Sequence, residues 1–353
     1  MSAVYILGLS CFAAESAAAL TRDGHLIAEV READFSHIAH DDAFPTAAIA
    51  DCLRRASITT DQLDAVVFAQ KPLLTFERLL IAMLADFPRS ADLWRDIVFT
   101  WLPKKLWIKS LIESRLAQPT DRVLFCDQIT AQAASAFYRS PYDEAAILIV
   151  DTVGERTTTA LGHGQQQQIE WLAEQHFPHS LGLFAQTFAA LLDTDMSGIA
   201  QLAAQGTARH VDILRQVIAL QADGSIQLDR RFFSFPHAAG SRPSPLLIRM
   251  LDTVRASPRD LAASVQTVIG DGIVGMAQQL YAQTGSQRLC VGGALAENGA
   301  AIAQITVRTP FQAVFVPDYP GSAAAAGAAL WASYALFGQS RSQTADPQMA
   351  EAG

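Results

Sequence analysis

Apolar residues in "VYILGLS" and "AAILIVD" form unbroken runs of strand length, each closing on a small polar or acidic loop. Runs of this kind, bounded by turn residues, predict buried strands. The first leads into "SAAALTRDGHLIAEV", where Asp23-Gly24 between two strand-like stretches predicts a hairpin. The second leads into "TTTALGHG" and "IEWLAEQHF", which predict another hairpin with a glycine-rich turn. A strand–hairpin–strand unit therefore recurs at 4–30 and 146–171.

Between and after these units the pattern turns helical. "FPTAAIADCLRRASIT" predicts a helix with Pro45 at an allowed early position. "DQLDAVVFAQ" predicts a short helix leading into a strand, and residues 76–116 read as helical with apolar and basic residues interleaved. "DRVLFCD" predicts a strand feeding a helix at "DQITAQAASAFY". Further helices are expected around 181–192 and 197–206, and again from 244 to 284. "RLCVGGALAENGAAIAQI" predicts strand, glycine turn and helix, and "AVFVPDYPGSAAAAGAALWASYAL" predicts strand, loop and helix. The polar stretch 338–353 is expected to fray.

The pattern implies an α/β protein of two related halves around a cleft. Ligands of open α/β sheets sit beyond the carboxyl ends of the strands. The loops Ser10–Ser16, Asp151–Glu155, Gly292–Gly293 and Pro317–Ser322 are thus expected to face one cleft.

Composition narrows the classes. Of 353 residues half are hydrophobic and 17% are charged, which supports large cores and excludes wholesale disorder. A net charge of −9 argues against a nucleic-acid backbone as the main partner. Cys11, Cys52, Cys126 and Cys290 stand singly, without a CxxC pair, and read as buried thiols of a reducing cytoplasm. The N-terminal apolar run has no Lys or Arg before it and is interrupted by Glu15, unlike a secretion signal. No run is long enough to span a bilayer, so a cytoplasmic protein is expected.

Several stretches carry candidate chemistry. "DTVGE" places Asp151, Gly154 and Glu155 directly after a strand, where they can hold a cation or brace phosphate oxygens, or simply end the strand in a turn. "VGGAL" places Gly292 and Gly293 between strand and helix, open to a nucleotide or phosphate. "PGSAAAAGAAL" offers small residues for a close approach or for tight helix packing. "EQHFPHSLGLF" brings His176 and His179 beside a helix start, where a histidine binds an anion, shuttles a proton or serves structure. "FSHIAHDDAFP" sets His37 and His40 beside Asp41 and Asp42. "LPKKLWIKSLIESRL" is a basic amphipathic helix, expected to pack its Leu, Trp and Ile residues on the body and keep its lysines in water. Gln128 and Gln132 lie four apart on one helix face, the spacing at which a helix presents two ligands to one ion, although glutamine is a poor transition-metal ligand.

Taken in order, "ILGLSCFAAESAAALTRDGHLIAEV", "QKPLLTFERLL", "AQAASAFYRSPYDEAAILIVDTVGE", "TTTALGHG" and "HFPHSLGLF" resemble the NodU/CmcH carbamoyltransferases, from residue 4 to about 335. The resemblance implies a duplicated actin/Hsp70-like (ASKHA) fold, two mixed-sheet halves around a central cleft, divided at 1–143 and 144–337 with a polar tail at 338–353. It implies a module that transfers a carbamoyl group from carbamoyl-adenylate to a hydroxyl of a small-molecule acceptor. Glu15, in an Ala14-Glu15 pair that replaces the family's His-Asp, would be the base. His40, followed by Asp41, and His179 would hold phosphate or acyl oxygens. Asp151, Gly154, Glu155, Gly292 and Gly293 would contact ATP or carbamoyl-adenylate.

The resemblance also marks departures. Family members carry H-x-x-x-H where this chain has Gln128 and Gln132, and the family's later aspartate falls at about Gly321. Of the expected metal ligands only Asp151 remains, so no metal is expected. The stretch "SGIAQLAAQG" lacks the family's Glu and Lys, and the family's YrdC-like C-terminal domain is not found in this sequence. A YrdC-like protein or a full-length carbamoyltransferase is therefore an expected partner, and a dimer is compatible. A catalytically silent, nucleotide-binding or partner subunit stands as the alternative.

Overall fold

The protein is described here from a computed structural model covering residues 3–13, 15–85, 90–237, 240–318, 320 and 323–341. Ala14, Gly321 and most of the polar tail, 342–353, lie outside the described residues.

Strands β1 (Tyr5–Ser10), β2 (Ala17–Arg22), β3 (His25–Arg31), β4 (Ala65–Phe68) and β5 (Val123–Phe125) form one sheet in the order β3-β2-β1-β4-β5. The chain continues through β6 (Glu144–Val150), β7 (Thr157–Gln165) and β8 (Gln168–His176). Two small hairpins follow, β9 (Ile218–Leu220) with β10 (Ile226–Leu228), and β11 (Phe233–His237) with β12 (Gly240–Pro243). With β13 (Arg288–Gly292) and β14 (Ala313–Phe315), strands β6 to β8 form a second sheet in the order β14-β13-β6-β7-β8.

The two sheets repeat one topology. β1 pairs antiparallel with β2 and parallel with β4; β6 pairs antiparallel with β7 and parallel with β13. The outer strands pair in the same senses in both sheets. The central strands are the two apolar runs singled out from the sequence, and Leu7, Leu9 and Ile147–Ile149 are fully buried. A strand covered on both faces needs no polar alternation, which is why these runs are continuous.

Asp23 and Gly24 form the first hairpin turn, both at positive φ. The second hairpin departs from expectation. Its turn lies at Gln166–Gln167, and the glycines expected to turn sit inside β7. There a Cβ on Gly164 would lie 2.7 Å from the Phe137 ring, and one on Gly162 would lie 3.0 Å from Trp171. These glycines make room for aromatic rings crossing the strand.

Two helices tie the sheets together. Gln128–Tyr138 follows the first sheet in sequence but packs on β6 and β13 of the second. Ala324–Trp331 follows the second sheet but packs on β1 and β2 of the first, and against Gln128–Tyr138. A Cβ on Gly8 would lie 2.0 Å from Ala325 O, and one on Gly327 would lie 1.6 Å from Ala131 O. The run of small residues at 323–329 is thus set by backbone-to-backbone approach.

The basic helix also departs from expectation. Ile108, Ile112 and Leu116 are buried as foreseen, but Trp107 stands 65% exposed. Lys105, expected in water, is only 5% exposed. All four cysteines are buried and free. Among the described residues no helix is long and apolar enough to cross a membrane.

Candidate functional site: a cleft between the two sheets

A cavity of about 670 Å³ opens between the halves, in the size range of small-molecule and cofactor sites. The loop after β1 supplies Phe12, Ala13 and Glu15, and the loop after β6 supplies Asp151 to Gly154. The helical segment between β4 and β5 contributes Thr75, Arg78, Trp101, Lys104 and Lys105. Gln128, Gln132, Asp195 and Glu297 complete the polar wall.

Backbone hydrogen bonds bring Glu15 and His40 to the same rim. Phe12 N–H donates to Asp42 O and Ser16 N–H to Asp41 O, both at 2.8 Å, and Ser16 Oγ donates to Ala43 O at 2.5 Å. The His-Asp loop is thereby clamped onto the loop that carries Glu15. Arg31 Nη1 lies 3.8 Å from Glu15 Oε1. Glu297 faces this pair from the turn after β13. Burial raises its carboxyl above the ordinary value, Glu15 raises it further, and His40 opposes the shift. A carboxyl of raised proton affinity set beside a second carboxylate and an imidazole is suited to general acid–base chemistry.

Asp151 is the polar centre of the opposite wall. It is 3% exposed. Its Oδ2 accepts from Gln128 Nε2 at 2.8 Å and from Gln132 Nε2 at 2.6 Å, and its Oδ1 accepts from Thr152 N–H at 2.7 Å. The ladder continues outward: Gln70 Nε2 donates to Gln128 Oε1 at 3.3 Å, and Lys105 Nζ donates to Gln70 Oε1 at 2.7 Å. An ammonium and a carboxylate are thus joined through two amides, each oriented by its neighbour. Gln132 Oε1 is buried with no hydrogen-bond partner.

These residues do not fit the transition metal that the resemblance implies. Both amides turn N–H groups, which have no lone pair to give, toward the single carboxylate. Among the described residues no group of three or more His, Cys, Asp and Glu side chains could hold an ion, the His37 and His40 loop included.

The remaining candidates serve neighbouring structure. Glu155 is buried and away from the cleft lining; its carboxylate accepts from Lys71 N–H at 2.8 Å and from Gln128 N–H at 3.1 Å. Burial raises its carboxyl, and these two N–H bonds hold the rise back. Glu155 thereby fastens the "DTVGE" loop to the end of β4 and the start of the helix Gln128–Tyr138. Gly154 lines the cleft. Gly292 and Gly293 do not line it, while Ala294 and Glu297 just after them do. Gly293 has φ +88°, and a Cβ there would lie 2.4 Å from Val150 O.

The structure does not bring His179 to the cleft. Its Nδ1 accepts from Leu228 N–H at 3.1 Å, its carbonyl accepts from Thr158 Oγ1 at 2.6 Å, and burial and Arg230 hold the imidazole below its ordinary pKa. The neighbouring Ser180 is what touches the loop, donating to Thr152 O at 2.7 Å while it caps the helix Leu181–Leu191. Of the loop 317–322, no described residue lines the cavity.

Sequence reasoning missed Lys105, Arg78, Gln70 and Glu297. Arg78 lay unread within "QKPLLTFERLL", and Glu297 carries no local signature beyond its place after Gly-Gly. Arg78 donates from Nε to Glu155 O at 2.6 Å, and burial lowers its pKa to about 10.

Two topologically repeated mixed sheets, bridged by exchanged helices and enclosing a polar cleft, define a duplicated α/β protein of the actin/Hsp70-like class. The chain belongs to the family Carbamoyltransferase N-terminus, whose profile matches residues 5–330. It is 35% identical to the uncharacterized protein sll1178 of Synechocystis sp., over 94% of this chain and 57% of that protein. It is 27% identical to the nodulation protein NolNO of Sinorhizobium fredii, over 93% of this chain and 47% of that protein. The chain spans about half the length of these curated relatives. Component A of the (R)-2-hydroxyglutaryl-CoA dehydratase of Acidaminococcus fermentans has a similar fold, with a TM-score of 0.54 at 12% identity, covering 94% of this chain and 98% of that one.

Proposed function

We propose that the chain is the acceptor-side module of a carbamoyl-transfer system. Its cleft receives carbamoyl-adenylate, supplied by a YrdC-like protein or a full-length carbamoyltransferase, together with a hydroxylated small molecule. The acceptor oxygen attacks the carbamoyl carbon, the bond from that carbon to the phosphoryl oxygen breaks, AMP leaves, and the acceptor proton passes to Glu15. Glu297, whose raised proton affinity suits a donor, faces the same point, and His40 is placed to steady developing charge. The observation that carries this reading is that both halves deliver Glu15, His40, Asp151 and Glu297 to one cavity. The buried acceptor Gln132 Oε1, which has no protein donor, is matched by the N–H of a carbamoyl amide.

A second reading rests on the Gln128–Asp151–Gln132 cluster. Amides take the positions of the family's metal-binding histidines, and this favours a catalytically silent subunit that binds a nucleotide or an active paralogue.

The test mixes the chain with a YrdC-like protein, ATP, radiolabelled carbamoyl phosphate and a panel of hydroxylated acceptors. Label in an acceptor that depends on the chain, and falls by about a hundredfold or more in Glu15→Gln, supports the enzyme. No transfer, together with a stable complex with a full-length relative, leaves the silent subunit.

A further inference from the structure

Lys105 has no part in the transfer chemistry above, yet it is the most deeply buried cation on the cleft wall. Its ammonium has three N–H donors. One reaches Gln70 Oε1 at 2.7 Å, and among the described residues no carboxylate lies within ion-pairing distance of it. A buried ammonium whose hydrogen bond goes to a neutral amide, with Asp42 and Glu155 acting on it only from beyond pairing distance, is unfavourable unless an anion joins it. Its neighbour Lys104, by contrast, stands half exposed and 3.9 Å from Asp42. Arg78 lies on the same wall and is also buried.

We propose that Lys105, with Arg78 beside it, forms an oxyanion subsite that takes the phosphoryl group of the ligand in this cleft. The assignment rests on the carbamoyl-transfer reading for its ligand, since a carbamoyl-adenylate donor carries one phosphoryl group next to the reacting carbon. It places the leaving phosphoryl group at Lys105, with Gln70 and Gln128 linking that cation to Asp151. Burial holds the Lys105 ammonium down to about 8, against the pull of Cys11, Glu155 and Asp42 and with the push of Arg78, so a cation is present at neutral pH.

Calorimetric titration at pH 7 with AMP, adenosine and inorganic phosphate tests the subsite without requiring transfer. Wild type is expected to bind AMP more tightly than adenosine. Lys105→Met should weaken AMP by about ten- to a hundredfold, the range for a hydrogen bond to a charged group, and leave adenosine unchanged. Lys105→Arg should recover part of the loss. Replacing a buried charge by an apolar side chain of similar length is compatible with folding, and Lys105→Gln provides a second neutral variant. Inorganic phosphate that binds wild type and is lost in both neutral variants shows that the subsite reads the phosphoryl group itself. Equal weakening of AMP and adenosine would mark a structural role and overturn the proposal. So would AMP that binds wild type no better than adenosine, or neutral variants that bind AMP as wild type does. Failure of the transfer reaction, with the AMP result intact, would remove the carbamoyl reading and leave the subsite standing.

Discussion

Gln132 donates its side-chain amide to Oδ2 of Asp151 at 2.6 Å, and both residues are buried. Gln128, one helical turn earlier, reaches the same oxygen at 2.8 Å. Two donors from one helix face thus converge on one carboxylate oxygen, and hydrogen bonds supply the compensation that a buried anion requires.

That convergence makes a gain of function testable. In Gln128→His/Gln132→His, two imidazoles would stand over Asp151, giving the three protein ligands of an open zinc site. After equilibration with zinc and removal of excess, elemental analysis should find about one ion per chain in the double variant and far less in wild type. A double variant that holds no more zinc than wild type would show that the side chains do not converge as described.

Lys105 should leave a signature in the pH dependence of stability. Burial lowers its pKa from 10.5 to about 8. Between those values the unfolded chain binds the proton and the folded chain does not, so the contribution of Lys105 to stability rises with pH across the window. Below pH 8 both states are protonated and the cost of burying the charge stands in full. The groups facing Lys105 are Cys11, Asp42, Glu155 and Arg78. Burial pushes the Cys11, Cys52 and Cys290 thiols up from 9.0 to about 12, which lowers stability as pH rises from about 9, so the Lys105 contribution is read as the difference between wild type and a variant that lacks the lysine. By urea unfolding, Lys105→Met should exceed wild type by up to roughly 3 kcal/mol at pH 7, and that advantage should shrink as pH rises from about 8. Parallel pH profiles for the two proteins would contradict the assignment.

Gly293→Val should unfold the protein or cost several kcal/mol, whatever ligand is present. Gly293 holds φ +88°, where a branched residue is strained, and its Cβ would press on the Val150 carbonyl. Urea denaturation of the variant measures this directly. A folded variant of wild-type stability that fails only in nucleotide binding would restore Gly293 to the binding surface.

How far these features were legible depended on whether the signal was local. β1 and β6 were readable because a strand buried on both faces leaves a continuous apolar run, and their paired hairpins revealed the repeat. Asp151 was found because it directly follows such a strand, whereas Glu15 was singled out only by the family resemblance. Gly162 and Gly164 were misread as turn formers because the rings that cover them, Trp171 and Phe137, belong to other elements. Lys105 escaped because a lysine on an amphipathic helix is ordinarily solvated, and nothing nearby in sequence says that this one meets Gln70. His179 drew attention by lying at a helix start, whereas its ring is engaged by β10, 49 residues away in sequence.

The exchanged helices bear on how the chain can be divided. A cut between Asp143 and Glu144 separates the two sheets, but it leaves Gln128–Tyr138 on one fragment and the strands it covers on the other. The same cut parts Ala324–Trp331 from β1 and β2. Each fragment would expose an apolar sheet face and an orphan helix, so neither is a self-sufficient folding unit. The pair should instead behave as complementing fragments, insoluble apart and reassembling when mixed, with the cleft restored only in the reassembled product.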